Sequence, residues 1–128
     1  MKKETENWLK IARYELKVAE SLLKDGLFLK VIEHSHAALE KLLKGIIVEQ
    51  KDIQPPKIHD LLKLTTLALI ENLQDDTKNT LDELNDLYLS TRYSGDFDKL
   101  VSVLHKEKVE ELFKRSKEVF KWIQMKIS

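Results

Sequence analysis

Apolar residues recur along this chain with the period of a helix, and the period breaks at only a few places. Over about 5–24, Trp8, Ala12, Leu16, Ala19, Leu22 and Leu23 fall on one stripe of a 100° wheel, and Asp25-Gly26 supplies a stop. A second helix is predicted over about 27–51. Its apolar arc is broad, with Leu27, Val31, Ala38 and Leu42 on one side and Ile32, Leu39, Leu43 and Ile46 on the other. An arc that wide needs more than one neighbour, so this helix is central in a bundle or part of a subunit interface. Leu29 and Ile47 fall at its outer margin.

Pro55-Pro56 interrupts the pattern, since proline disfavours helix at the residue before it. A short helix is predicted over about 58–71 and a longer one over about 75–93, with Leu73, Leu84, Leu87 and Tyr88 near one face. Residues 94–104 read as a loop holding at most a turn of helix. The last helix, about 105–127, turns Val109, Leu112, Phe113, Phe120, Ile123 and Ile127 inward and leaves Trp122 opposite. The expectation is an all-α fold: an antiparallel up-down four-helix bundle with one additional short helix, a single domain over 1–128. Trp8, Leu16, Leu39, Leu42, Leu84, Phe113 and Phe120 should lead its core.

Composition narrows the class. Apolar residues make up 42% and charged residues 34% of the chain, which suits a globular domain. No apolar run reaches the roughly 20 residues of a membrane span, so no membrane partner is expected. The start, MKKETENWLK, lacks the apolar stretch of a secretory signal, and there is no cysteine, so a cytoplasmic location is expected. Formal net charge is zero, without the basic excess of many nucleic-acid binders. Charge is nonetheless uneven: residues 71–86 hold six acidic side chains against Lys78 alone.

Several polar residues stand out. Glu15 falls inside the first apolar stripe, where a carboxylate needs a partner. Arg92, near the core-facing side at the end of the fourth helix and just before Ser94-Gly95, is the natural candidate. A half-buried Glu15–Arg92 pair would line a polar cleft; the alternative is a solvated Glu15 at the rim. His34 and His36 are two apart on a helix and cannot ligate one metal together, and without cysteine or HExxH no metal is expected. His59 is expected to tie a loop to the start of the third helix, and His105 to open the last helix in an exposed position. No nucleophilic triad, phosphate loop or carboxylate pair is legible.

Four segments in order, WLKIARYELKVAESLLKDGLF, SHAALEKLLKGII, PPKIHDLL and LYLSTRYSGDF, together resemble the HEPN domain over about residues 8–123. The resemblance implies a prokaryotic helical bundle that dimerises. It also implies a partner, a minimal nucleotidyltransferase encoded beside it in a toxin–antitoxin-type pair. Many HEPN proteins look like metal-independent ribonucleases, marked by an arginine, four to six residues, then a histidine, often with a tyrosine two further on. Arg92 fills the arginine position. Phe97, Asp98 and Lys99 occupy the histidine positions, and Tyr93 follows the arginine directly. Acid–base cleavage of RNA needs a group titrating near neutrality, which neither arginine nor an ordinary aspartate supplies. The expected function is therefore a non-catalytic HEPN protein, without a cofactor. It would bind its nucleotidyltransferase partner, and nucleotide or RNA, through a groove around Arg92, Tyr93 and Glu15, with His34, His36 and His59 as secondary candidates. A ribonuclease using a displaced histidine is the alternative.

Overall fold

The computed structural model describes residues 1–93 and 95–127, and all regular elements among them are helices: α1 Lys3–Lys24, α2 Phe28–Gln50, α3 Leu61–Leu67, α4 Asp75–Tyr93, α5 Phe97–Ser102 and α6 Lys106–Gln124. Four are long and form the bundle. Helix α2 packs against α1, α3, α4 and α6, which explains why its apolar arc is so wide.

Helix ends follow from local chemistry. Gly26 takes φ +74° and lets Leu27 N–H reach back to the Leu22 carbonyl, which closes α1 and turns the chain into α2. The third helix is shorter than the apolar pattern predicts. The Asp60 carboxylate caps it by accepting from the Leu62 and Lys63 amides. At its other end Leu69 adopts φ +59° while Ile70 N–H reaches the Thr65 carbonyl. Within the segment expected to be a loop, residues 97–102 form a true short helix, α5, capped when Asp96 accepts from Lys99 N–H. Ser94, half of the expected Ser-Gly break, lies outside the described residues.

The core centres on α2. Leu39, Leu42, Leu43, Leu81, Leu84, Leu112 and Ile123 are fully buried, and Phe113 and Phe120 nearly so. Trp8 and Leu16, expected at the centre, sit half-buried at its margin. The reason lies in Gly45: a Cβ there would stand 3.0 Å from Trp8 Cβ, so α1 and α2 approach backbone to backbone and the indole is displaced outward, near Lys41. Ile47, placed at the outer margin from its wheel angle, is buried, while Leu27, placed inside, is exposed. Trp122 is half-buried against the core with Lys126 over its ring, rather than turned outward. No described helix is long and apolar enough to cross a membrane.

Candidate functional site

Arg92 lies on the last turn of α4 with its side chain at the surface, not turned into the bundle. It donates from Nη1 to the Tyr88 hydroxyl at 2.9 Å, and its guanidinium carbon lies 5.5 Å from the Tyr88 ring centre. The two residues are four apart, so they share a helix face. Among the described residues this tether leaves most of the guanidinium fork available to an anion or a partner.

Glu15 is not its partner. Among the described residues the Glu15 carboxylate pairs with His34 Nδ1 at 2.6 Å, across the α1–α2 seam. That contact relieves the desolvation of a carboxylate in an apolar stripe, but it does not bring Glu15 to Arg92. The expected Glu15–Arg92 cleft is therefore two separate places. Tyr93 is 77% exposed, and the ring beside Arg92 is that of Tyr88, one turn earlier.

The end of α4 and the segment of α5 that follows it expose several apolar side chains. Leu89, Tyr93, Phe97, Val101 and Val103 are all exposed, on the end of α4 and along α5. Between them runs an open groove of about 580 Å³, walled by Leu89, Tyr93, Leu100 and Val103 with Lys99 at its edge.

Beneath Tyr88 lies a polar cluster that the apolar pattern concealed. His36 is fully buried and stacks on Tyr88, the ring centres 4.0 Å apart and the planes 8° from parallel. Among the described residues neither of its ring nitrogens has a hydrogen-bond partner, and burial pushes its pKa down to about 4, against the pull of nearby Glu40. Glu40, one turn on, has a side chain only 5% exposed. It accepts from His59 Nδ1 at 2.8 Å and from Lys44 Nζ at 3.0 Å. Burial pushes the Glu40 carboxyl up, but those two hydrogen bonds and the Lys44 charge together hold it below the usual glutamate value. His59, half-exposed, also tilts against Tyr88 at 5.8 Å. It does tie a loop down, yet to α2 rather than to the start of α3, where Asp60 does the capping.

His36, Glu40 and Lys44 are spaced by four, a polar ladder inside the most apolar helix of the chain. That spacing was the readable signal for Glu40 and Lys44, which sequence reasoning passed over. His105 is exposed at the N-cap of α6, as expected. No group of three or more metal-ligating side chains occurs among the described residues.

Two solved structures share this architecture. TT1696 from Thermus thermophilus is 22% identical, with a TM-score of 0.80 over 98% of this chain and 100% of that one. ST0689, described as an archaeal HEPN homologue, is 20% identical, with a TM-score of 0.76 over 100% of each chain. At these identities the likeness speaks for the fold. No curated protein matches the chain. The HEPN-domain family model, however, matches residues 5–126, nearly the full length. The chain belongs to the HEPN family.

Proposed function

We propose that this chain, as a single domain over residues 1–128, is a non-catalytic HEPN protein of a prokaryotic toxin–antitoxin-type pair. It works in the cytoplasm as a homodimer. It binds a minimal nucleotidyltransferase, and a nucleotide or RNA, through the surface around Arg92. The observation that carries this reading is an exposed guanidinium held in place by Tyr88 on the last turn of α4, the helix whose Leu89 and Tyr93 wall an open groove with Leu100 and Val103. A fixed cation beside an apolar rim is the chemistry of a recognition surface, where an Arg and aromatic residues anchor a partner.

Ribonuclease activity is the second reading, and one observation bears on it. His59 is an imidazole oriented by a carboxylate, the arrangement of a general base. His34 is oriented by Glu15 in the same way but is less exposed, and His36 is buried, so of these three His59 is the best placed to act. Its surroundings argue against phosphate chemistry. Asp60, Asp82 and Asp86 line the same pocket, and carboxylates repel a phosphodiester.

The test is co-purification with the protein encoded by the neighbouring gene. The wild-type chain should retain a nucleotidyltransferase partner, and Arg92→Ala should weaken that complex or its nucleotide binding while the helical circular-dichroism signal stays unchanged. Arg92→Lys should restore binding only partly, since an ammonium lacks the planar fork. Metal-independent RNA cleavage by the isolated chain, lost in Arg92→Ala, would favour the ribonuclease reading. If Arg92→Ala alters neither binding nor growth beside the neighbouring gene, the site is wrong.

A further inference from the structure

The Arg92 guanidinium is held by a side chain that is itself held by a ring. Tyr88 sits half-buried on α4, one turn before Arg92, and its hydroxyl accepts from Arg92 Nη1 at 2.9 Å. The torsion that orients a phenol ring is broad, so the plane of Tyr88 is set by what packs against it. Two rings do so. His36, reaching from α2, stacks on Tyr88 with centres 4.0 Å apart and planes 8° from parallel. His59, at the edge of the pocket between α3 and α4, tilts against it at 5.8 Å. His59 is half-exposed, whereas His36 is fully buried and closer, so His36 is the firmer constraint.

Hydrogen bonding does not account for an imidazole at this position. Among the described residues neither nitrogen of His36 has a partner. Glu40 Oε1 stands 3.8 Å from its Nδ1, beyond hydrogen-bond reach, and the same oxygen already accepts from His59 Nδ1 at 2.8 Å. A buried polar group left unmet destabilises a fold, and an aliphatic side chain would fill the space without that cost. What the imidazole supplies and an aliphatic side chain does not is a flat face.

We infer that His36 is a positioning residue for the Arg92 site: its buried ring sets the plane of Tyr88, and the hydroxyl so placed fixes the guanidinium. This role rests on Arg92 being the recognition cation proposed above, and it gives that surface a buried support in α2. An exposed arginine without support samples many rotamers, and ordering them on binding weakens a complex. The stack supplies that order in advance.

The experiment reads Arg92 directly, by NMR relaxation of the arginine Nε–H groups in the isotopically labelled full chain. The chain's arginines are Arg13, Arg92 and Arg115, so the Arg92 signal is assigned by its loss in Arg92→Ala. In the wild type this bond should be ordered. His36→Leu, which fills the space without a flat face, should drop its order parameter below about 0.6. Tyr88→Phe, which keeps the stack and removes the hydroxyl, should do the same. His36→Phe, which restores a flat ring, should keep Arg92 ordered. Thermal unfolding checks that each variant is folded. Titration calorimetry with the neighbouring gene's protein should show binding weakened about two- to tenfold in His36→Leu, the range for ordering one long side chain. Added to Arg92→Ala, His36→Leu should weaken binding no further, because its effect runs through Arg92. An Arg92 signal that is disordered in the wild type, or still ordered in His36→Leu or Tyr88→Phe, overturns the role of His36. Equal disorder in His36→Leu and His36→Phe, or a further loss of binding in the double variant, does so too. Unchanged binding in Arg92→Ala would instead overturn Arg92 as the recognition cation, and the relaxation data would still decide whether His36 positions it.

Discussion

Glu40 and His59 lie nineteen positions apart and are joined by a 2.8 Å hydrogen bond. One is buried in the most apolar helix of the chain, the other is half-exposed on the connection to α3. The bond pins residues 51–60 to the bundle and sets the His59 ring at the edge of the α3–α4 pocket. Glu40→Ala should therefore be costly, because it leaves the buried Lys44 ammonium without its carboxylate. Removing one partner of a buried ion pair costs about 3–5 kcal/mol. His59→Ala should cost less, about 1–2 kcal/mol, since water can replace the half-exposed ring. Urea denaturation of the two variants checks the order; equal losses would mean that Lys44 finds another partner.

His36 predicts an acid-sensitive fold. Burial lowers its pKa from 6.5 to about 4. The unfolded chain therefore takes up a proton on acidification before the native chain does. Stability conferred by the neutral ring is complete above about pH 6.5 and declines as pH falls toward about 4, by at most about 3 kcal/mol. The Glu40 carboxyl, held below its usual value by His59 and Lys44, adds a loss of the same sign at still lower pH. Melting temperatures between pH 7 and pH 4 should show the decline, and His36→Phe, which keeps a ring on Tyr88, should flatten its upper part.

Leu69 ends α3 in a left-handed conformation at φ +59° and is 65% exposed. A left-handed backbone costs an ordinary residue roughly 1–2 kcal/mol, and glycine avoids that cost but loses more entropy on folding. Leu69→Gly should stabilise the protein by about 0.5–1 kcal/mol. A destabilisation would show that the exposed leucine makes a contact, for instance in an assembly.

Leu42 is fully buried where α2 meets its neighbours. Leu42→Ala should cost about 2–5 kcal/mol in chemical denaturation. A loss under about 0.5 kcal/mol would show that this face of α2 is not the centre of the core.

The exposed apolar side chains of α4 and α5 predict the homodimer contact, with Arg92 left at its edge for the partner. Light scattering at micromolar concentration should give twice the 15.0 kDa chain mass. Tyr93→Ser with Phe97→Ser should return it to the monomer, as both rings are exposed and contribute little to the fold. A stable dimer needs on the order of 1,200 Å² of buried surface, more than two altered rings would spare. A monomer in the wild type counts against the homodimer.

The helices themselves were legible because periodicity is a local property. The 3.6-residue pattern placed α1, α2, α4 and α6 to within a few residues, and the broad arc of α2 correctly implied several neighbours. Where the pattern failed, a tertiary or turn effect had overridden it. Gly45 lets α1 close on α2 and moves Trp8 aside; Asp60 and Leu69 trim α3 from both ends; packing buries Ile47 and leaves Leu27 out.

The candidate residues were legible by type but not by pairing. Arg92 stood out at the end of a helix, whereas the groove that Leu89 and Tyr93 form with Leu100 and Val103 emerges only in the fold. Glu15 needed a partner, and the sequence showed as much, because a carboxylate in an apolar stripe is costly. Which partner it takes depended on the seam between α1 and α2, and there His34, not Arg92, lies within reach. The same holds for Glu40. Its helical spacing from His36 and Lys44 is written in the chain, whereas His59 and Tyr88 reach this cluster only through contacts between elements distant in sequence. Sequence alone determined which residues must be helical and which polar groups needed company. The tertiary structure decided the company, since a hydrogen bond or a ring stack depends on distances of a few ångströms that no local period encodes.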